Sequence, residues 1–193
     1  MKNSYARFIL PMNLVLLEDE CHLLWGDCLG YVWGKRVEAI EVWMLNEKER
    51  QTYDGAVNLL TREFHLQPAA AGNGVNTVTY LQWLRSLYPD KRLWLLWDGA
   101  SYHRDAQCKA FLAEVNQGRE EKDWLVTCLR FAPNAPEQNP VEDIWLAGKN
   151  LLRRKFAENK TFAAVKESFF NFLKSFKLES VKFDWYLPCP QLT

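Results

Sequence analysis

Three acidic residues stand where an acid is expensive. Asp19 lies near the end of the apolar run NLVLLEDE (13–20), Asp98 closes RLWLLWD (92–98), and Glu142 follows the cap-like Asn139-Pro140-Val141. Period-two alternation puts Val15, Leu17 and Asp19 on one face of the first run, and Trp94, Leu96 and Asp98 on one face of the second. A carboxylate that continues an apolar face has to meet something positive, because burying it unpaired is costly. An arginine, a lysine or a divalent cation would each serve, and the spacing leaves these open. If the three acids converge, they offer hard oxygen ligands of the kind divalent cations prefer. Two such ions roughly 3.5–4 Å apart can activate a nucleophile and stabilise the leaving oxygen of an in-line phosphoryl displacement.

The elements that must position these acids are legible in outline. Both apolar runs read as buried strands. Asn139-Pro140-Val141-Glu142 reads as N-cap, N1, N2 and N3 of a helix running to about Phe156, with Glu142 able to reach back to the cap. Cap chemistry alone accounts for those four residues. It does not account for RFAPNAPEQ (130–138), a proline-stiffened approach that holds the helix start in one place. YVWGKRV, TYDGAVNLL and EFHLQPA read as strands with tight connections. VNTVTYLQWLRSLYP (75–89) and DAQCKAFLAEVNQG (105–118) read as helices, WLVTCLRF (124–131) as a strand, and 161–176 as a last amphipathic helix. A meander followed by alternating strands and helices gives a mixed α/β sheet.

Composition bounds the rest. The chain has 193 residues, 48% of them hydrophobic, enough for one sizeable core and no linker to divide it. The expected division is one domain over 1–182 and a proline-broken tail over 183–193. Five scattered cysteines without a CxxC pair suggest reduced thiols, and Cys21, His22 and Cys28 match no standard metal spacing. No apolar run approaches the ~20 residues of a membrane span, so the expected location is the cytosol. Net charge is zero, but 144–182 carries nine Lys or Arg against three Glu. Such a basic end suits a phosphate-contacting surface or a solvated helix face.

Three blocks together resemble the catalytic domain of IS630-group DDE transposases, within the IS630/Tc1/mariner superfamily. LLEDECHLLWG (16–26) is similar to the block with the first aspartate, LLWDGASYHR (95–104) to that with the second, and RFAPNAPEQNPVEDIWLAGK (130–149) to that with the glutamate. The third, with NPxE and a tryptophan three residues beyond the Glu, is the most specific. The resemblance implies an RNase H-like fold, a mixed five-stranded sheet with helices on both faces. It implies Asp19, Asp98 and Glu142 as catalytic ligands of two Mg²⁺ ions, with Mn²⁺ as substitute. The implied activity is DNA cleavage and strand transfer at transposon ends, in a bacterial, nucleoid-associated protein whose partners are DNA and, in some assemblies, a second copy. The rival readings are an RNase H-like nuclease that cuts without joining, and an inactive fragment that acts only by association.

Neighbouring residues are ranked behind these. Glu18 and Glu20 point to the opposite strand face from Asp19, and Asp143 is about 100° around the helix from Glu142. Glu20, Asp143 and His103 are expected to support the ligands from behind. Lys149, Arg153 and Arg154, one to three turns along the Glu142 helix, are read as DNA-phosphate contacts or as its solvated side. Trp145 is expected to pack that helix onto the sheet. Two departures from the pattern stand out: 43 residues separate Asp98 from Glu142, and Gly99 replaces a common asparagine. Only about a dozen residues precede the first strand, so the helix-turn-helix region typical of relatives is expected to be absent or supplied by a separately encoded polypeptide.

Overall fold

The computed structural model describes residues 12–30, 41, 44–132, 138–179 and 183. Five strands form one sheet: β1 (Asn13–Leu24), β2 (Arg50–Asn58), β3 (Phe64–Ala69), β4 (Arg92–Trp97) and β5 (Val126–Arg130). Their order is β3-β2-β1-β4-β5, with β1–β2 and β2–β3 antiparallel and β1–β4 and β4–β5 parallel. The sheet is therefore mixed, and β1 lies at its centre. The expected strand YVWGKRV and the tail beyond Phe183 lie outside the described residues.

Strand β1 is longer than its apolar run suggests. Cys21–Leu24 stay extended because they pair in register with Arg50–Tyr53 of β2. Both faces of β1 are covered over Leu14–Leu17, whereas His22 and Leu24 further along are exposed. Val15, Leu17, Cys21 and Leu23 join a core with α3 (Pro140–Arg154) and α4 (Phe162–Ser175), while Leu14 and Leu16 join a second core with α1 (Gly74–Leu87) and α2 (Ala106–Val115). On α3, Val141, Ile144, Trp145, Gly148 and Leu152 recur at helical spacing and are buried, each large side chain contributing ~1.5–3 kcal/mol of burial. A Cβ on Gly148 would lie 2.5 Å from the Phe169 ring, so glycine sets how closely α3 and α4 approach.

Helix ends follow the expected chemistry with small shifts. Asn73, Asp105, Asn139 and Thr161 each accept a hydrogen bond from a first-turn N–H of their helix. α2 stops at Val115 rather than at Gly118, because the buried Asn116 side chain turns away to bond the backbone of Leu125 and of Val126, the first residue of β5. Gly118 then takes φ +73°, a conformation glycine adopts without strain.

Candidate metal and nucleic-acid site

The three singled-out acids come from three different segments: the central strand, the turn after its neighbour β4, and the start of α3. Asp19 lies midway along β1, on the face covered by α3. Asp98 follows the last residue of β4, and Glu142 is in the first turn of α3. Asp19 is the most enclosed of them: burial, then the charge of Glu142, then Glu20, push its pKa up to about 8, against the lowering effect of a hydrogen bond from Trp145, with Asp98 raising it further. Among the described residues, no lysine or arginine forms an ion pair with Asp19 or Glu142. Buried or mutually repelling carboxylates with oxygen ligands to offer are what a divalent cation would relieve. The residues present therefore fit such an ion.

Two side chains hold this arrangement together. Trp145 Nε1–H donates to Asp19 Oδ2 at 3.0 Å, so the tryptophan orients the carboxylate as well as packing the helix. Asn139, itself buried, accepts from Val141 N–H at 3.1 Å and donates its side-chain N–H to the Glu18 carbonyl at 3.0 Å. It ties the start of α3 to the β1 backbone one residue from Asp19. Glu142 makes no return bond to the cap among the described residues; its side chain is exposed at the open side of the site. The expected capping box is thus replaced by a clamp to the strand. Replacing Trp145 by phenylalanine should keep the packing, remove the donor, and lower metal affinity or activity about 10- to 100-fold, measured by metal titration of the cleavage rate.

The opposite face of β1 carries a second polar cluster. Glu18 and Glu20 face α1 and α2, and Glu20 is directly across from Asp54 of β2. His103, in a 3-10 turn at Ser101–Arg104, reaches between the faces. Its Nδ1 is 3.3 Å from Asp98 Oδ1 and its Nε2 is 3.5 Å from Glu20 Oε1, while the ring stacks on Trp97 at 4.2 Å. Tyr102 O–H donates to Glu20 Oε2 at 2.5 Å. Burial alone would lower the His103 pKa, but the Asp98 and Glu20 carboxylates, with Glu18, hold it up at about 10. The contact with His103 in turn lowers Asp98, aided by the Ala100 N–H that Asp98 Oδ1 accepts at 2.8 Å. The His103 ring thus lies between the Asp98 and Glu20 carboxylates.

Glu18, Glu20 and His103 are the one group of three potential ligands, among the described residues, whose donor atoms lie within 4.8 Å of one another. Asp19, Asp98 and Glu142 do not meet that spacing. Of the other singled-out residues, Asp143 is half-buried beside Glu142, Lys149 pairs with Asp27 at 3.3 Å, Arg153 donates to Asn150 at 2.9 Å, and Arg154 is exposed. The sequence reading missed the Asn139 and Trp145 hydrogen bonds. Trp145, three residues past Glu142, shares its helix side, which was a usable signal; the Asn139 bond needed the fold.

The buried acids make a pH prediction. Burial first, then the Glu20 charge, raises Asp54 to about 7 and raises Glu18 well above its usual range. Groups held above their unfolded values contribute stability that is complete at low pH and is lost as pH rises through the folded values. His103, raised from 6.5 to about 10, has the same sign. The metal-free chain should therefore melt at progressively lower temperature from about pH 5 to about pH 9, and Mn²⁺ should restore more at the alkaline end, where its ligands are deprotonated. Thermal unfolding with and without the ion checks both.

The class now follows. A family model described as "DDE superfamily endonuclease" matches residues 15–163, and the chain belongs to that family. No curated protein matches the sequence. Among solved structures, the Mos1 transposase paired-end complex with the left transposon end is similar over 94% of this chain and 53% of its own, at 14% identity and TM-score 0.57. A simian T-cell lymphotropic virus intasome in complex with a PP2A regulatory subunit is similar over 93% of this chain and 55% of its own, at 10% identity and TM-score 0.55. The catalytic core domain of BIV integrase is similar over 89% and 92%, at 14% identity and TM-score 0.50. The chain thus spans about half the length of the first two. The fold is the RNase H-like fold of transposase and integrase catalytic cores.

Proposed function

We propose that the chain is the catalytic domain of an IS630-type transposase, which nicks DNA at transposon ends and transfers the freed 3′ end to target DNA. The observation that carries this reading is the placement of Asp19, Asp98 and Glu142, on three segments of a DDE-family fold, with Asp19 raised first by burial and then by the charge of Glu142. The Glu-type third acid within NPVEDIW favours the IS630 group. Asp19, Asp98 and Glu142 would hold two Mg²⁺ ions, for which Mn²⁺ substitutes. Bound there, the ions would supply activation of the attacking hydroxyl and stabilisation of the leaving oxygen.

The chain's own residues do the positioning. Trp145 fixes the Asp19 carboxylate, Asn139 fixes the height of Glu142 above β1, and His103 fixes Asp98. Preorganised ligands are the larger part of what a protein adds to such chemistry. DNA is the substrate and partner; a second copy of the chain, and a separately encoded helix-turn-helix polypeptide to select the ends, complete the proposed assembly.

The test is cleavage and joining by the purified chain on pre-opened DNA ends, taken from inverted repeats flanking the coding region, with a supercoiled target in Mg²⁺ or Mn²⁺. Joined products are expected. Hydrolysis without joining would make it a nuclease, and no cleavage in either metal would leave only an associating fragment.

A further inference from the structure

The site as described is acidic, yet its substrate is a polyanion, and the basic residues read from the sequence lie further along α3. One guanidinium does stand at the acids. Arg130 is the last residue of β5 and is paired in register with Trp97, the residue before Asp98. Its Nη2 lies 2.3 Å from where a Cβ on Gly99 would be, so the guanidinium rests directly against the Gly99 backbone. Its charge also acts on Asp98. The residue is exposed, and among the described residues its guanidinium has no hydrogen bond or ion pair. A planar cation with five donors, seated on a glycine and turned to solvent beside a ligand carboxylate, is built to receive a further anion.

We infer that Arg130 binds a DNA phosphate flanking the scissile bond, and that Gly99 is the cradle that admits its guanidinium to that place. This rests on the reading of the site as a DNA-processing centre. A Cβ at 99 would take the present place of Nη2, so the guanidinium would swing away from this position. The arrangement also meets an electrostatic need. A phosphodiester approaching Asp19, Asp98 and Glu142 is repelled by them until cations intervene, and an arginine beside them offsets part of that repulsion and can hold the backbone bidentately.

The experiment uses the full chain with a labelled DNA duplex in Ca²⁺, reading anisotropy against salt, alongside Mn²⁺-dependent cleavage. Arg130→Gln should lower the slope of log affinity against log salt by about one and weaken binding, with the fold unchanged by circular dichroism. Gly99→Ala should reproduce that loss by displacing the guanidinium, whereas Arg130→Lys should keep the slope and lose cleavage rate. Asp98→Asn separates the two readings: it should abolish cleavage with the salt slope kept. An unchanged slope and affinity in Arg130→Gln overturns the inference, as does a defect that excess Mn²⁺ alone repairs, since Arg130 would then only counter the charge of Asp98. Wild-type chain that binds with the expected slope but never cleaves removes the proposed activity and leaves the phosphate contact standing; wild-type chain that binds no duplex removes both.

Discussion

Asp98→Asn should abolish metal-dependent cleavage while the protein stays folded. The asparagine keeps the shape of the side chain and an oxygen that can accept from Ala100 N–H, so the turn after β4 survives. The Asp98 side chain is 54% exposed, which leaves little packing to disturb. What is lost is the negative charge and the ligand. Metal-centred stabilisation is worth several kcal/mol, so the rate should fall on the order of 10³-fold or more. Glu142→Gln, at an equally open position, should behave alike. Rates on pre-opened DNA ends, with circular dichroism as the check on folding, decide the matter, and full activity in Asp98→Asn would sink the assignment.

Gly55→Ala should damage both the fold and the site with a single methyl. Gly55 is directly across from Asp19 in the β1–β2 pairing. A Cβ there would sit 2.5 Å from Trp145 Cη2 and 2.5 Å from Phe64 Cζ. Neither ring can yield cheaply. Trp145 is 4% exposed, meets Phe64 edge to face at 5.3 Å and stacks near Phe169, and its N–H is committed to Asp19. Overpacking of this kind costs about 1–3 kcal/mol. For a chain of this size that corresponds to a melting temperature lower by about 2–12 °C. Displacement of Trp145 should also free the Asp19 carboxylate and reduce cleavage more than the stability loss explains. Phe64→Leu, which makes room on one side, should recover part of the melting temperature in the double variant.

Much of this architecture could be read from residue order. The apolar runs ending in acids became β1 and β4, and the Asn-Pro start became the N-terminus of α3. Local signals sufficed there because burial period and cap chemistry act over a few residues. What could not be read depends on distant pairings. Cys21–Leu24 are strand only because β2 lies alongside. Glu20 and Asp54 meet because of that register, and His103 joins Asp98 to Glu20 because a turn after β4 folds back over β1. Arg130 was passed over as the end of a strand, since only the β4–β5 pairing brings it to Gly99.

Glu18, Asp19 and Glu20 form an uninterrupted acidic triplet that follows a stretch of β1, Leu14–Leu17, buried on both faces. In most half-exposed strands a shift of one residue is rejected at once, because it turns apolar side chains to water. Over Leu14–Leu17 β1 lacks that safeguard: slipped by one, that half would still bury leucines on both sides and still offer α3 a carboxylate, merely the wrong one, and only the alternation of buried Cys21 and Leu23 with exposed His22 and Leu24 opposes the slip. Discrimination within the triplet then falls to the Asn139 contact with the Glu18 carbonyl and to the Tyr102 and His103 contacts with Glu20. Refolding of Asn139→Ala should consequently give a fraction of compact but inactive molecules, an error of alignment that a melting curve alone would not reveal and that hydrogen exchange along β1 would.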